Sequence, residues 1–317
     1  MMKLSQLSAL FMAGLLTACG GGSGSSTSAS NQNNSTSQSS LQQEPGAPAF
    51  TGDTAQDGFN WINYRRAQTG LSVLEHNSQI DAAAQSHSNY QKINNTITHV
   101  EIAGKPGFTG AQLVDRLNAA GYMLGPATAP YAAGEVIAAA TDTSGFVLSE
   151  QLITAIYHRF VIFEPVFKEN GTGSATVAGG YTYFTSDFAA RNGYGPGLSR
   201  GNIVFYPVDK QTKVVTNFST DQETPDPVAN QDVTGYPISV HANISSTLGV
   251  GTFTVRPHGG SDLTVKLLSR ATDPETPLSA AAIIPLAVLA ANTTYDVAFS
   301  GTVDRVPVTH TWSFTTQ

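Results

Sequence analysis

The sequence predicts an α+β fold: a helical unit closed by a strand hairpin, followed by an antiparallel β-sandwich. Three observations carry this reading. Apolar residues recur at three- and four-residue steps between about residues 53 and 157. A Gly179-Gly180 turn then divides two strand-like runs. Beyond about residue 202 the period switches to two, with Tyr295, Val297 and Phe299 alternating with Asp296, Ala298 and Ser300.

The chain opens with Lys3 and a mostly apolar run from Leu4 to Leu16. That run is short for a membrane span, which needs about 20 apolar residues, and suits the core of a signal peptide. It ends in Leu16-Thr17-Ala18-Cys19, which resembles the lipobox of bacterial lipoproteins. The resemblance implies that residues 1–18 are removed and that Cys19 is diacylated as the mature N-terminus. The partner implied is a membrane of the cell envelope. Gly20, with no Asp beside it, implies the outer membrane in a two-membrane host. Cys19 is the single cysteine, so no internal disulfide can form and the domains rely on core burial.

Residues 19–52 follow the anchor, and most of them are Gly, Ser, Thr, Asn and Gln. Such a composition buries too little surface to offset its ordering entropy, which predicts a flexible tether. About 30 residues of coil reach about 30 Å on average. The formal net charge is −7 with no basic stripe, which argues against a nucleic-acid partner.

Residues 53–190 form the first predicted unit. Phe59, Ile62 and Arg66 share a helix face that ends before Gly70. A second helix opens at Ser78, read as its N-cap, and places Ile80, Ala83, Ala84, His87 and Tyr90 together. A third covers about Ala111 to Ala120, and a fourth about Ser149 to Tyr157. Strands follow at Thr176 to Ala178 and Tyr181 to Phe184.

The order of residues here resembles the CAP superfamily of cysteine-rich secretory, antigen and pathogenesis-related proteins, nearest its disulfide-free bacterial branch. The elements are Asn63 and Arg66, Gly70-Leu71, Ala83-Ala84, His87-Ser88, Thr98-His99, Arg116, Gly134-Glu135-Val136-Ile137, His158-Arg159 and Gly171-Thr172-Gly173. The resemblance implies an α-β-α sandwich with a cleft lined by His99, Glu135 and His158. Two imidazoles and a carboxylate suit Zn²⁺ with one position open, and without metal the same trio could act as acid, base and orienter. A second acid is not evident. Glu150 stands eight residues before His158, about 12 Å along one helix, and Glu164 is no better placed. His87 reads as a packing or hydrogen-bonding residue near the cleft.

Residues 191–201 are read as a linker, with four glycines or prolines between Asn192 and Arg200, joining units that fold separately. Residues 202–317 read as the sandwich. Its strand-like runs are Ile203 to Tyr206, Ile238 to Ala242, Gly251 to Val255, Leu263 to Leu268, Tyr295 to Phe299 and Trp312 to Phe314. The Thr293-Thr294-Tyr295 opening and the closing Trp312 to Thr316 resemble bacterial immunoglobulin-like domains. Carbohydrate binding is one role for such a unit, and a spacer or docking module is the plainer one. Glu223-Thr224-Pro225-Asp226-Pro227 lacks calcium-ligand spacing and reads as a rigid acidic loop.

No nucleophile motif such as Gly-x-Ser-x-Gly lies in the two predicted folded units, so no catalytic residue is assigned. The leading expectation is a surface-tethered protein whose cleft binds a small ligand, lipid or peptide, with a divalent metal such as Zn²⁺ as the candidate cofactor. A metal-assisted hydrolase of envelope peptides or glycans is the second reading, and a structural adhesin the third. The sequence leaves the oligomeric state open.

Overall fold

The computed structural model describes residues 10–12, 37–126 and 129–317. Cys19, its cleavage site and most of the predicted leader and tether lie outside the described residues. Within the predicted leader, β1 (Leu10–Met12) pairs parallel with β3 (Ala132–Ala140), in register from Leu10↔Ala133 to Met12↔Glu135.

The tether reading reaches too far. From Ser37 onward the chain is structured, because α1 (Gln38–Gln42) buries Leu41 and the following Glu44 pairs with Arg65 at 2.6 Å. One apolar side chain and one ion pair suffice to dock this polar stretch.

The predicted helices form, with informative differences at their ends. α2 (Thr54–Thr69) is capped by Asp53 and stops where Gly70 takes a left-handed φ of 85°. β2 (Glu75–His76) leads into α3 (Ser78–Asn94). The cap of α3 is Asn77 rather than Ser78, since the Asn77 side chain accepts from the Gln79 and Ile80 N–H groups. α4 spans Leu113–Ala119.

The fourth predicted helix is two. α5 (Gly145–Thr154) ends at Ala155, whose extended backbone (φ −70°, ψ 118°) also starts α6 (Ile156–Ile162).

The helices cover a sheet of order β1-β3-β5-β4-β2, in which β4 (Glu169–Thr176) and β5 (Thr182–Ala190) form the expected hairpin. The Gly171-Thr172-Gly173 run has a steric cause. A Cβ at Gly171 would stand 2.3 Å from the Asp81 nitrogen, and one at Gly173 2.2 Å from the Gln85 nitrogen, so only glycine lets β4 approach α3.

The C-terminal half contributes β6 (Val204–Tyr206), β7 (Gln211–Val214), β8 (Asn217–Ser219), β9 (Val233–Gly235), β10 (Ile238–His241), β11 (Leu248–Pro257), β12 (Val265–Ser269), β13 (Ala280–Pro285), β14 (Thr294–Val303) and β15 (Val306–Thr316). β12-β13-β10-β6 and β11-β14-β15-β7 make two four-stranded sheets, and β8 pairs with β9. The pairing is antiparallel except between β15 and β7. Phe253, Val255, Tyr295, Val297, Phe299, Trp312 and Phe314 are buried with Ile238, Val240, Ala281 and Ile283 of the other sheet.

Trp312 lies face to face with Phe205, ring centroids 4.3 Å apart, yet its Nε1 is buried without a hydrogen-bond partner. Trp312→Phe removes that unpaired donor while losing part of the packing, so it should cost only about 1–2 kcal/mol in urea unfolding. A larger loss would mean that the indole N–H has a partner in solution.

The halves are not independent. Trp61, Phe146, Phe163 and Phe188 belong to the same apolar cluster as Tyr206, Val240 and Phe314. A second cluster joins Ile156, Tyr157 and Phe160 of α6 to Phe218, Leu268 and Ile284. The predicted linker is itself pinned, with Gly195 N–H donating to Val166 O and Leu198 N–H to Asn243. Separate folding, expected from the glycine-rich composition, does not fit this shared core.

Glu164 sits at the same junction. Its Oε1 accepts from the Val166 N–H and from the Ile244 N–H of the C-terminal half. Burial pushes its pKa up to about 8. The folded state therefore holds a proton that the unfolded chain has released, and stability falls as pH rises from about 4.5 to about 8. Glu164→Gln should flatten the stability curve across that window, read as the melting temperature at intervals of pH. An unchanged slope would place the titration elsewhere.

Candidate functional site

Two of the three predicted cleft residues meet. Glu135 points from β3, and His99 from the loop after α3 donates its Nδ1–H to Glu135 Oε1 at 2.7 Å. The other oxygen of Glu135 accepts from Arg116 Nη2 of α4 at 2.5 Å, and Arg116 Nη1 donates to the His99 carbonyl at 3.0 Å. Arg116 thus clamps both partners. Burial opposes the charge on Glu135, but Arg116, His87 and His99 outweigh it and hold the carboxyl well below the usual range.

His87 lies behind this pair, with Nε2 4.0 Å from Glu135 and no exposed surface. Its Nδ1 faces Glu101 Oε1 at 2.9 Å and its Nε2 faces the Thr98 carbonyl at 2.7 Å. Both ring nitrogens therefore face oxygens of the protein. The expectation that His87 is a hydrogen-bonding residue near the cleft matches this placement. Burial raises Glu101, but the bond from His87 and the Thr109 N–H bring its pKa below the ordinary value.

The second acid was missed by the sequence reading, and it is Asp187. It stands opposite Glu135 in the β3–β5 register, fully buried, with neither carboxylate oxygen in a hydrogen bond. Burial, then the negative charge of Glu135, pushes its pKa well above the usual value. Glu135 takes the charge and Asp187 keeps the proton, a division that one guanidinium between two acids enforces.

His158 is elsewhere. It opens α6, fully buried, and its Nδ1 lies 3.1 Å from Glu223 Oε1 in the C-terminal half. Glu223 also accepts from the backbone N–H groups of Ile156, Tyr157 and His158, at 3.0, 2.6 and 3.3 Å. The adjacent Arg159 donates to the Pro237 carbonyl and stacks on Tyr206 and Tyr236. The His-Arg element therefore docks the second half of the chain. Glu150 is engaged by Trp61 Nε1 and Arg65 Nε and lies in a structural network.

The three-ligand zinc set does not fit this arrangement. Both oxygens of Glu135 are taken, one by a guanidinium whose charge would repel a dication, while His158 faces Glu223 through Nδ1 and its buried Nε2 has no partner. Among the described residues no group of three or more His, Cys, Asp or Glu side chains is placed to hold a metal. The cluster leaves Arg116 Nε, both Asp187 oxygens and His99 Nε2 buried and without a partner, and of these side chains His99 is the one with exposed surface. The His99 side chain keeps 11% of its surface exposed, so the imidazole lies at the edge of the network.

Comparison with known proteins gives partial matches. One similar solved structure is an extracellular protein containing an SCP domain from Bacillus anthracis, at 24% identity and a TM-score of 0.36, covering 48% of this chain and 43% of that one. The chain thus matches under half of that protein's length. Another is an outer surface protein from Borrelia burgdorferi, at 14% identity and a TM-score of 0.35, covering 42% of this chain and 89% of that one. No curated protein matches the chain. No helix among the described residues is long and apolar enough to cross a membrane. Residues 59–188 match the family model of the CAP, or cysteine-rich secretory protein, family, and this part of the chain is a CAP domain.

Proposed function

We propose that this chain is an extracytoplasmic lipoprotein, anchored in the outer membrane through a lipid on Cys19, whose CAP domain binds a small ligand, lipid or peptide beside His99. The observation that carries the binding reading is His99 Nε2, an unpartnered nitrogen on the most exposed side chain of the His99, Arg116, Glu135 and Asp187 network, at 11%. A fixed imidazole with one free nitrogen offers a ligand one oriented hydrogen bond. Glu135 is bound to a cation on one side and an imidazole on the other, which leaves it poorly placed as a free base. Binding is favoured over hydrolysis for that reason. Residues 202–317 serve in this reading as an immunoglobulin-like unit that buttresses the CAP domain through α6.

Native mass spectrometry of the full chain, incubated with a total phospholipid extract and with a library of short peptides, tests the site. A species retained by the wild type and lost on His99→Phe is expected; equal retention by the variant removes His99 from the reading. The anchor is tested by labelling cells with a palmitate analogue. Label on the wild type and none on Cys19→Ala is expected, and equal labelling of both overturns it.

A further inference from the structure

The outer face of the β11-β14-β15-β7 sheet is hollow rather than flat. Two ranks of outward side chains cross its three long strands, set by the register. One is Thr254↔Ala298↔Thr311 and the other Arg256↔Asp296↔Ser313. Ala298 is the smallest member and stands on the central strand between two threonines, so the face sinks there. Asp209 closes one side and is fixed by accepting from the Ser313 N–H at 3.1 Å. The resulting cavity has a volume of about 320 Å³ and is lined by these seven residues, with Val297 and Trp312 beneath.

The lining chemistry is specific in kind. Asp296, which faces His258 Nδ1 at 3.0 Å, and Asp209, which holds the Ser313 N–H, keep further accepting capacity; Arg256, 4.0 Å from Asp262, donates, and three hydroxyls do either. An apolar lipid tail finds few partners in such a hollow, and two carboxylates against one guanidinium disfavour an anion. A compact ligand bearing many neutral hydroxyls satisfies all of these groups together. A volume of about 320 Å³ stands at the small end of ligand sites, and a few convergent polar groups in such a site fix a ligand's orientation. We infer that the hollow over Ala298 is a binding site for a neutral glycan, separate from the CAP domain's His99 site.

The shape of the site supplies its own test. Ala298 is half-buried on an outer sheet face, where a tyrosine is well tolerated in a strand. Ala298→Tyr should fill the hollow with the fold intact, and Ala298→Ser should keep it open. The full chain, its two Ala298 variants and His99→Ala would be titrated by calorimetry with cellotetraose, chitotetraose, mannotetraose and maltotetraose, with melting temperatures measured alongside. Saturable binding of at least one of the four sugars is expected. Ala298→Tyr should weaken it more than tenfold at an unchanged melting temperature, while Ala298→Ser and His99→Ala bind as the wild type does. Failure of all four sugars to bind overturns the inference, as does undiminished binding by Ala298→Tyr. Binding of tetralysine in place of the sugars, abolished by Ala298→Tyr, would equally overturn it and assign the hollow to a cationic peptide.

Discussion

Glu223→Ala is expected to destabilise the whole chain by about 3–5 kcal/mol, although Glu223 lies outside the CAP domain. Its carboxylate accepts from three successive N–H groups at the start of α6 and faces the His158 imidazole. All four donors are buried, and each buried donor left unpaired costs about 1–3 kcal/mol before any relaxation. Glu223→Gln keeps one acceptor oxygen in place and should lose about half as much. Urea unfolding followed by tryptophan fluorescence reports on both halves, since Trp61 lies in one and Trp312 in the other. A single transition shifted in midpoint is the expected result. Two transitions, or a loss under about 1 kcal/mol, would show that the halves are coupled weakly and that the contact is incidental.

Arg116→Ala should have a comparable effect, about 3–5 kcal/mol, because it strands a buried carboxylate. It also brings a second signature. In the wild type the pKa of Glu135 is held below its unfolded value, so the stability it contributes is present above about pH 4.5 and is lost as acid protonates it. Without Arg116, the largest influence against burial is gone, only His87 and His99 still oppose it, and the pKa of Glu135 rises. The acid sensitivity should then disappear, and the variant should come closest to wild-type stability at low pH. The pair Arg116→Met with Glu135→Gln removes both charges and should recover much of the loss. A wild-type pH profile in Arg116→Ala would mean that the clamp does not govern the site.

The sequence made some of this legible and not the rest, for reasons that lie in particular residues. Ile80, Ala83, Ala84 and His87 announce α3 because one face is buried and one is wet, so burial writes a helical period. The alternation of β14 is readable for the same reason, with Tyr295, Val297 and Phe299 inward. β3 carries no such pattern. Eight of its nine residues are buried, both faces being covered, and its alanines favour helix on their own. No strand is predicted there from the sequence, and only the Gly134-Glu135 resemblance marks the segment.

Within the site, His99 and Glu135 could be carried over from family positions. Asp187 could not, since a lone acid in a strand becomes a site residue only through a register that pairs it with Glu135. His158 misled because its motif is local while its partner is not. Glu223 lies 65 residues further on, in a segment that reads as a rigid acidic loop. Intermediate-range docking of this kind leaves no periodic trace.

The shared core also sets an order of events while the chain is being made. The CAP domain is complete once Ala190 has emerged, yet Ile156, Tyr157, Phe160 and Phe163 still await the strands that cover them. Synthesis at about 5–20 residues per second puts the last of those strands on the order of ten seconds behind. Throughout that interval the nascent chain presents an uncovered aromatic and aliphatic face. A chaperone that shields such surfaces would have its longest dwell here, and a ribosome stall between about residues 200 and 280 would leave the most aggregation-prone form of the protein.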